Sequence, residues 1–334
     1  MKTTTRHKLI RTANHDEWLA CRSKGIGSSE IGTLLGLNKF ETPYQLWRRK
    51  MGMDAPKEEN EAMLMGHLME DAVAQRWKIE TGRHIIKASQ EEWLYVHPDH
   101  DYFRASPDRI YYNEGDKHNE QNRCILECKT TSIDVDEKDL PMSWFCQVQW
   151  LMHVTGYKRG SLAWINLTHR KFGYKDIEYD AAMCEWMADE AQHFWTVNIG
   201  QGIEPELRTP ADVIAKYPRH TEGKTIDGWT NIAIGSGENN QMSIVDAVGE
   251  IKRLREEETE LARERAMYED AVKAAMGDAE AVTAQQGTQI INIATWKAAK
   301  DSVKFDSKAF QKDHPEEAEK YMKATAGSRR FLIK

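Results

Sequence analysis

The chain has 334 residues, of which 40% are apolar and 30% are charged, and its net charge at pH 7 is −7. This length suffices for one large domain or two ordinary ones. No apolar run approaches the ~20 residues that a membrane-spanning helix needs, and residues 1–6 lack the apolar core of a signal peptide. The composition therefore excludes a membrane protein, and we expect a cytoplasmic one.

Cysteine usage and charge distribution narrow the class further. The cysteines are odd in number and scattered, which favours neither a disulfide framework nor a four-cysteine zinc site. They are Cys21, Cys124, Cys128, Cys146 and Cys184. Residues 1–50 carry ten basic and four acidic side chains, so positive charge is concentrated at one end of an acidic chain. Alone, this is typical of a solvated basic face, although a local nucleic-acid groove is compatible with it.

Two short helices are predicted near the beginning of the chain, over residues 28–36 and 43–51. Ser28 or Ser29 would cap the first helix, because a hydroxyl can accept a hydrogen bond from the free amide groups at a helix start. Thr42 would cap the second helix, and the proline that follows suits the first helical position.

A longer helix is predicted over residues 61–80, with Gly82 as its C-terminal stop. Four residues are expected on its apolar side: Met65, Met69, Ala72 and Ile79. Glu70 lies on another face, with Gly66, Ala74 and Trp77. A carboxylate among small and aromatic residues is less often merely solvated, but a salt bridge at the core edge explains it nearly as well.

The following segments alternate between strand and helix patterns. Strands are predicted over residues 92–97, 101–105, 108–113, 123–131, 159–168 and 172–179, and helices over 143–155 and 181–199. This order predicts an α/β (α+β) fold in which helices flank a central mixed sheet. We expect one domain over residues 1–205 and an irregular linker over 206–240.

The C-terminal part of the chain is expected to form a charged helical arm over residues 241–284 and a small α/β module over 285–334. A seven-residue spacing runs through Ala247, Leu254, Leu261, Tyr268 and Ala275, partnered by Ile251 and Val272. Glu258 and Arg265 interrupt the partner seam, so we expect a helical hairpin arm or an oligomer contact rather than a long coiled coil. In the module, residues 289–295 and 329–333 read as strands, while Asp306 and Pro315 would each begin a helix.

Two short strings carry the candidate chemistry. In the strand at 123–131, alternation places Glu127 and Lys129 on one face, about 7 Å apart along the strand at ~3.4 Å per residue. Asp108 follows Ser106 and Pro107, and a hairpin would bring it near Glu127. Two carboxylates and an ammonium suit a divalent metal that activates water against a phosphodiester. The alternatives are an exposed ion pair of little energetic value and an ordinary Ser-Pro-Asp turn.

Two glutamines lie on the otherwise apolar helix at 143–155. A buried amide must find a hydrogen-bond partner, and Gln147 would find one if it faced the strand that carries Lys129. From there it could hold the nucleophilic water. Gln149 is the second amide of this pair, and the local pattern leaves both structural and catalytic roles open.

The order of these motifs resembles the YqaJ-type viral recombinases, a group that includes the phage lambda-type alkaline exonucleases of the PD-(D/E)xK nuclease superfamily. The resemblance spans about residues 15–200. In chain order the motifs are Arg22, GIGSSEI at 25–31, GHLME at 66–70, SPD at 106–108, LECK at 126–129 and QVQ at 147–149. Each motif is weak singly, but together and in this order they are specific.

The resemblance implies a PD-(D/E)xK restriction-endonuclease-like core and a phage or prophage double-strand DNA exonuclease. Such an enzyme digests 5′ to 3′ and leaves single-stranded 3′ tails for recombination by strand annealing. Its cofactor would be Mg²⁺, or Mn²⁺ in its place, as two ions. The metal ligands would be Asp108, Glu127, the backbone carbonyl of Cys128 and Glu70, while Lys129 would position or activate the attacking water.

The resemblance also implies how DNA ends are held and what the protein binds. Gln147 would support the catalytic centre, and Arg22 and Ser29 match the positions that receive the 5′-phosphate of a duplex end. Lambda-type members form ring trimers, so we expect a homo-oligomer in a bacterial host cell, and a single-strand annealing protein is a candidate partner. Arg109 departs from the family pattern, which commonly has glycine there.

Three alternatives remain at this level. The first is an endonuclease of the same superfamily, and the second is a non-catalytic scaffold that binds DNA ends. A relative of the iron–sulfur nucleases of CRISPR systems is disfavoured, because no cysteine beyond Cys184 could complete a cluster.

Overall fold

The computed structural model describes residues 7–54, 60–86, 93–234, 241–287, 289–300, 303, 305–322 and 329–333. The chain divides into two compact units, Met1–Lys216 and Tyr217–Lys334. The first unit therefore ends at Lys216, whereas the sequence predicted a boundary at 205. The reason lies in Asp212, which is fully buried and accepts hydrogen bonds from the Thr42 hydroxyl (2.7 Å) and the Arg208 and Thr209 amides.

The first unit contains the following elements. In chain order they are β1 (Lys8–Arg11), α1 (His15–Ser23), α2 (Ser28–Leu34), α3 (Pro43–Lys50), α4 (Glu61–Thr81), β2 (His84–Ile85), β3 (Trp93–Val96), β4 (Arg104–Ala105), β5 (Arg109–Tyr112), β6 (Cys124–Thr131), α5 (Met142–Thr155), β7 (Arg159–Asn166), β8 (Lys171–Glu178), α6 (Ala181–His193) and α7 (Pro210–Lys216). A short 3₁₀ turn (Glu120–Asn122) precedes β6, and a π-helical segment (Phe194–Ile199) continues α6.

A five-stranded mixed sheet forms the centre of this unit, in the order β2-β5-β6-β7-β8. Only β6 and β7 pair in parallel among these strands, and the crossover between them is α5. A smaller antiparallel sheet has the order β1-β3-β4. The predicted α/β (α+β) class, with a central mixed sheet flanked by helices, is confirmed.

Each face of the large sheet buries its own apolar cluster. On one face, Val73, Ala74 and Trp77 of α4 pack against Leu126 and neighbouring strand residues. On the other face, α5 and several further helices cover Ile125 and its neighbours in the main core. Helix α5 packs closely against β7. A Cβ at Gly160 of β7 would lie only 3.1 Å from Val148 Cγ1 of α5.

The structure corrects the predicted apolar side of α4. Met65 and Ile79 are exposed, the latter by 77%, and Ala72 is exposed as well. The packed residues are Val73, Ala74 and Trp77 instead. Helix α4 ends as predicted at Gly82, whose φ of 68° is the left-handed conformation that favours glycine.

Helix termini were predicted with mixed success. Thr42 caps α3 by accepting a hydrogen bond from the Gln45 amide, as predicted. The cap of α2 is Gly27 rather than Ser28 or Ser29, because the Glu30 carboxylate accepts the Gly27 N–H (2.9 Å). The single helix predicted over 181–199 becomes π-helical at Phe194, and the carbonyl of Asn198 there accepts the Trp47 indole N–H (2.8 Å).

The second unit contains smaller pieces. In chain order they are β9 (Asn231–Ala233), β10 (Gln241–Ser243), α8 (Ile244–Met276), β11 (Ala281–Gln286), β12 (Gln289–Thr295), α9 (Ser307–Asp313) and α10 (Pro315–Glu319). Strands β9 and β10 form one antiparallel pair, and β11 and β12 form another.

Several predictions for this unit can be compared with it directly. Asp306 caps α9, and Pro315 begins α10, as predicted. The predicted arm is one continuous helix, α8, and not a hairpin of helices. The boundary predicted at 285 falls inside the β11–β12 pair, and residues 329–333 do not form the predicted strand. Part of the predicted linker, residues 235–240, lies outside the described residues.

Within the part of the chain that the structure describes, no helix is both long and apolar enough to cross a membrane.

Candidate active site

Strand β6 presents the candidate acidic and basic groups on the α5 side of the sheet. Leu126 and Cys128 point to the opposite face and pack in the cluster beneath α4. Because side chains alternate along a strand, Glu127 and Lys129 face the other way. There they meet Gln147 of α5.

Three side chains form a closed polar triangle at this place. The Lys129 ammonium donates to Glu127 Oε1 (2.8 Å) and to Gln147 Oε1 (2.9 Å). The Gln147 amide in turn donates to Glu127 Oε1 (2.6 Å). The Glu127 side chain is 4% exposed and that of Lys129 is 21% exposed. The pair is therefore not the exposed ion pair that the sequence left as an alternative.

Asp108 is held next to this triangle by the hairpin of β5 and β6. Arg109 pairs with Leu126 in the antiparallel register, and the Cys128 amide donates to Asp108 Oδ2 (2.7 Å). Arg109 is buried, and its guanidinium donates to the Asp108 carbonyl (2.7 Å) and to the Asp71 carboxylate of α4. Arg109 thus fastens the Asp108 turn to α4.

Two neighbouring carboxylates act on the pKa of Glu127 in this region. Burial raises the pKa of Glu127, and the negative charges of Asp108 and Glu70 raise it further, although Lys129 opposes them. Burial alone would lower the pKa of Lys129, but the Glu127 and Asp108 charges outweigh it and raise the pKa overall. The structure thus brings Asp108, Glu127, Lys129, Glu70 and Gln147 into one electrostatic neighbourhood.

The acidic side chains at this place could supply only part of the ligand set of a divalent cation. Among the described residues, no three His, Cys, Asp or Glu side chains converge tightly enough to form a metal site by themselves. However, Glu127 Oε2 is buried and, within the same residues, has no hydrogen-bond partner. A buried carboxylate oxygen left unpaired is costly, and a hard cation would satisfy it. The set fits a cation whose remaining ligands are a backbone carbonyl and other oxygen atoms such as water.

The predicted phosphate-binding residues lie on α1 and at the start of α2. The Arg22 guanidinium donates to the Ser29 hydroxyl and lies 4.9 Å from the Trp18 ring centroid. Arg22 is half-buried and Ser29 is exposed. Arg22 also runs along Gly27, where a Cβ would lie 3.4 Å from its Nε. The two predicted side chains are therefore adjacent and open to a ligand.

Sequence reasoning missed the charged residues that support this segment. Glu30 is buried and pairs with Lys50 (2.8 Å) and Arg49 (3.0 Å). Burial alone would raise the pKa of Glu30, but these two positive charges lower it overall. The Lys50 ammonium also donates to the Gly25 carbonyl (2.6 Å). Glu30 belongs to the GIGSSEI motif at residues 25–31. A single acidic residue among small and apolar ones was the sequence signal that could have indicated its buried ion pairs.

Arg104 of β4 is a second residue that sequence reasoning missed. It is buried, and its Nε has no hydrogen-bond partner among the described residues. A Cβ at Gly25 would lie 2.8 Å from this Nε and 2.2 Å from the Tyr102 carbonyl oxygen. Only glycine therefore fits at position 25, and no pattern in the local sequence of Arg104 indicated this contact.

Gln149 does not join the triangle. It is fully buried, donates to the Glu178 carbonyl (2.8 Å) and accepts from the Asp180 amide (2.9 Å). It therefore links α5 to the end of β8 and the start of α6. Of the two glutamines, only Gln147 reaches the candidate site.

Comparisons with known proteins agree with the motifs. Residues 17–158 match the family model described as the YqaJ-like viral recombinase domain. The chain is 29% identical over 328 residues to the uncharacterized protein YqaJ of Bacillus subtilis (strain 168), and the match covers 96% of this chain and 94% of that protein. The resemblance to this family is confirmed.

Solved structures of exonucleases are also similar to part of the chain. LHK-Exo in complex with dAMP is 20% identical and has a TM-score of 0.46, over 56% of this chain and 94% of LHK-Exo. LHK-Exo is an alkaline exonuclease from Laribacter hongkongensis. A phage-related exonuclease from Haemophilus somnus 129PT is 9% identical with a TM-score of 0.36, over 54% of this chain and 96% of that protein.

Proposed function

We propose, on the premise that residues 17–158 form a YqaJ-like viral recombinase domain, that this chain is a Mg²⁺-dependent double-strand DNA exonuclease. The observation that carries the proposal is the buried Glu127, whose Oε1 is held by Lys129 and Gln147 and whose Oε2 is left without a hydrogen-bond partner among the described residues. Digestion from 5′ to 3′, with single-stranded 3′ tails as the product, belongs to the same proposal and draws on the family resemblance.

In this mechanism the side chains bind the metal ion, orient the attacking water and neutralise negative charge on the phosphate. A bound divalent cation supplies Lewis acidity toward the phosphodiester and toward water. Asp108, Glu127, Glu70 and the Cys128 carbonyl would hold it. Lys129 uses two of its three N–H groups on Glu127 and Gln147, which leaves one for the attacking water or a phosphate oxygen. A fixed ammonium beside the scissile phosphate stabilises the negative charge that develops there.

End recognition would be the task of Arg22 and Ser29. A guanidinium and a hydroxyl side by side suit a terminal phosphate, because such charge-assisted hydrogen bonds are short and directional. The ion pairs of Glu30 with Lys50 and Arg49 would hold the backbone of this segment in place. The cleavage chemistry and the selection of DNA ends would thus depend on different parts of the first unit.

The first test is digestion of linear and covalently closed circular duplex DNA, each with Mg²⁺ and with EDTA. We expect the linear DNA to be degraded only with Mg²⁺ and the closed circle to stay intact. Cleavage of the closed circle would favour the superfamily endonuclease instead. No digestion of either DNA, together with binding of ends, would favour the non-catalytic scaffold.

The second test is Lys129→Ala, with the exposed Lys138→Ala as a matched control of equal charge change. We expect Lys129→Ala to lower the digestion rate by at least ~100-fold, in line with loss of an electrostatic group at a reacting centre, while DNA ends still bind. Lys138→Ala should leave the rate unchanged. Undiminished digestion by Lys129→Ala would remove the assignment of this site.

The trimer and the single-strand annealing partner predicted from the resemblance stay proposals. Light scattering of the full chain would give the number of copies. Co-purification with a single-strand annealing protein would test the partner.

A further inference from the structure

Helix α8 carries an apolar stripe that nothing in the described chain covers. Leu254, Leu261, Tyr268 and Val272 are 45%, 65%, 68% and 46% exposed. Together with Ile251 they lie at heptad spacing, which places them along one side of the helix. At 1.5 Å per residue the helix is about 50 Å long, and such a stripe is normally buried against another helix.

The rest of the surface of α8 is suited to exposure to solvent. Its remaining surface is highly charged, and several pairs of side chains three or four residues apart form ion pairs along it. These pairs are Arg253 with Glu250 and Glu257, Arg263 with Glu260, Arg265 with Glu269, and Lys273 with Glu269 and Asp270. Such pairs support an isolated helix, so α8 can form before its stripe is covered.

Two charged residues in the stripe select what can cover it. If Leu254 and Leu261 occupy d positions of the heptad, Glu258 and Arg265 occupy the a positions between them. In a parallel pair of α8 helices, Glu258 would face Glu258 and Arg265 would face Arg265, which is repulsive in a seam. In an antiparallel pair, each Glu258 lies within about one helical turn of the Arg265 of the other copy, so the same charges attract.

One antiparallel register gives every a and d position of the α8 stripe, which we call the seam, a suitable partner in the second copy. When Glu258 lies opposite Leu261 of a second copy, Arg265 lies opposite Leu254 and Ile251 lies opposite Tyr268. Each charged residue then extends its aliphatic part over a leucine and its charge toward an opposite charge. Glu257 and Glu264 flank the seam and stay in water, where their repulsion is screened, so the two seam charges decide the orientation.

We propose that α8 pairs with α8 of a second copy of this chain as a two-fold antiparallel coiled coil. The chain is its own partner because its stripe is complementary to itself only in this orientation. The pairing joins two copies of whatever assembly the first unit forms. It goes beyond the nuclease proposal, and it holds or fails independently of it.

The first experiment measures the mass of the full chain by light scattering. Leu261→Lys places a charge in the seam, and Met267→Lys places the same charge at a similarly exposed position, 72% against 65%, outside the seam. We expect Leu261→Lys to halve the mass and Met267→Lys to leave it unchanged. Circular dichroism checks that both variants keep their helix content. A wild type that is already a single chain, or an equal response of both variants, would overturn the proposal.

The second experiment tests the charges in the seam. Glu258→Arg alone and Arg265→Glu alone should each lower the mass, because each places like charges together. The double variant restores opposite charges and should recover the wild-type mass. A double variant that remains as dissociated as the single ones would contradict the pairing.

The third experiment tests the orientation by disulfide formation. Ile251→Cys mixed with Tyr268→Cys should give a cross-linked pair under mild oxidation, whereas Ile251→Cys alone should not, since the two copies of position 251 lie about 25 Å apart. Wild type under the same oxidant gives the background from the native cysteines. Efficient cross-linking of Ile251→Cys to itself would mean a parallel pair and would overturn the proposal.

Discussion

At the residue scale, a spacing of two residues along α5 separates two kinds of glutamine. Gln147 belongs to the polar triangle with Glu127 and Lys129, whereas Gln149 joins backbone groups at the junction of β8 and α6. Positions two apart on a helix point in different directions, so only one of the pair can face β6.

This difference predicts opposite phenotypes for the same substitution. Gln149→Ala removes a fully buried amide and its hydrogen bonds to the Glu178 carbonyl and the Asp180 amide, so it should lower the free energy of unfolding by about 1–3 kcal/mol. Gln147→Ala should lower the digestion rate with little loss of stability. Urea unfolding and a linear-DNA assay on both variants check this, and the reverse pattern would mean that the two roles have been exchanged.

Arg22 is the second residue whose proposed role can be tested at this scale, because a nearby lysine offers a control substitution of equal charge. Wild type should digest 5′-phosphorylated ends faster than dephosphorylated ends, and Arg22→Ala should lose this preference because the guanidinium no longer contacts the phosphate. Lys24→Ala removes an equal charge from an exposed position two residues away and should keep it. Equal rates on both substrates for the wild type would mean that Arg22 does not read the phosphate.

At the element scale, a stack of histidines joins the β3–β4 connection to α5. The ring centroids of His97 and His153 are 5.1 Å apart, and His100 lies 5.3 Å from His97. His153 also contacts the Tyr179 hydroxyl (3.1 Å). Burial lowers the pKa of His97, and His100 lowers it further while Asp99 opposes. Burial, His97 and Lys158 lower the pKa of His153 to about 4.

The stack predicts a stability that declines in acid. The unfolded chain protonates its histidines near pH ~6.5, whereas folded His153 resists protonation, so unfolding takes up protons below that pH. The free energy of unfolding should therefore fall as the pH drops from about 6.5 to about 4, by at most ~3 kcal/mol for His153. Urea unfolding at several pH values measures this decline.

A matched pair of variants isolates the stack from other titrating groups. His153→Phe should flatten the decline between pH 6.5 and 4, because the group that resists protonation is gone. His220→Phe changes an exposed histidine and should leave the decline as it is. An equally steep decline in His153→Phe would assign it to other groups.

At the scale of the whole molecule, the candidate cleavage and end-binding residues all lie in the first unit, Met1–Lys216. We therefore expect residues 1–216, expressed alone, to digest linear duplex DNA with Mg²⁺ at a rate within about tenfold of the full chain. Comparison of the two proteins at equal concentration, with Lys129→Ala of the short form as the blank, checks this. A folded but inactive short form would mean that the second unit completes the enzyme.

Local sequence patterns were sufficient to predict much of the fold. The pairing of β5 and β6 followed from turn residues between two apolar runs, and the cap at Thr42 and the stop at Gly82 followed from the chemistry of single residues. These features depend on neighbours in the chain. The prediction of the packed face of α4 was wrong in part, because that face depends on packing against the sheet and not on neighbours in the chain. The larger methionines suggested one side, but the sheet accepts the side with Val73, Ala74 and Trp77.

By itself the sequence determined the class of fold, the order of the motifs and the face of β6 that carries Glu127 and Lys129, since alternation along a strand is a local property. Only the tertiary structure decided the burial of that pair, the hydrogen bonds from Gln147, the attachment of Arg109 to α4, and the support of the Arg22 segment by Lys50. Those contacts join residues far apart in the chain, so their energies depend on packing that no local pattern encodes.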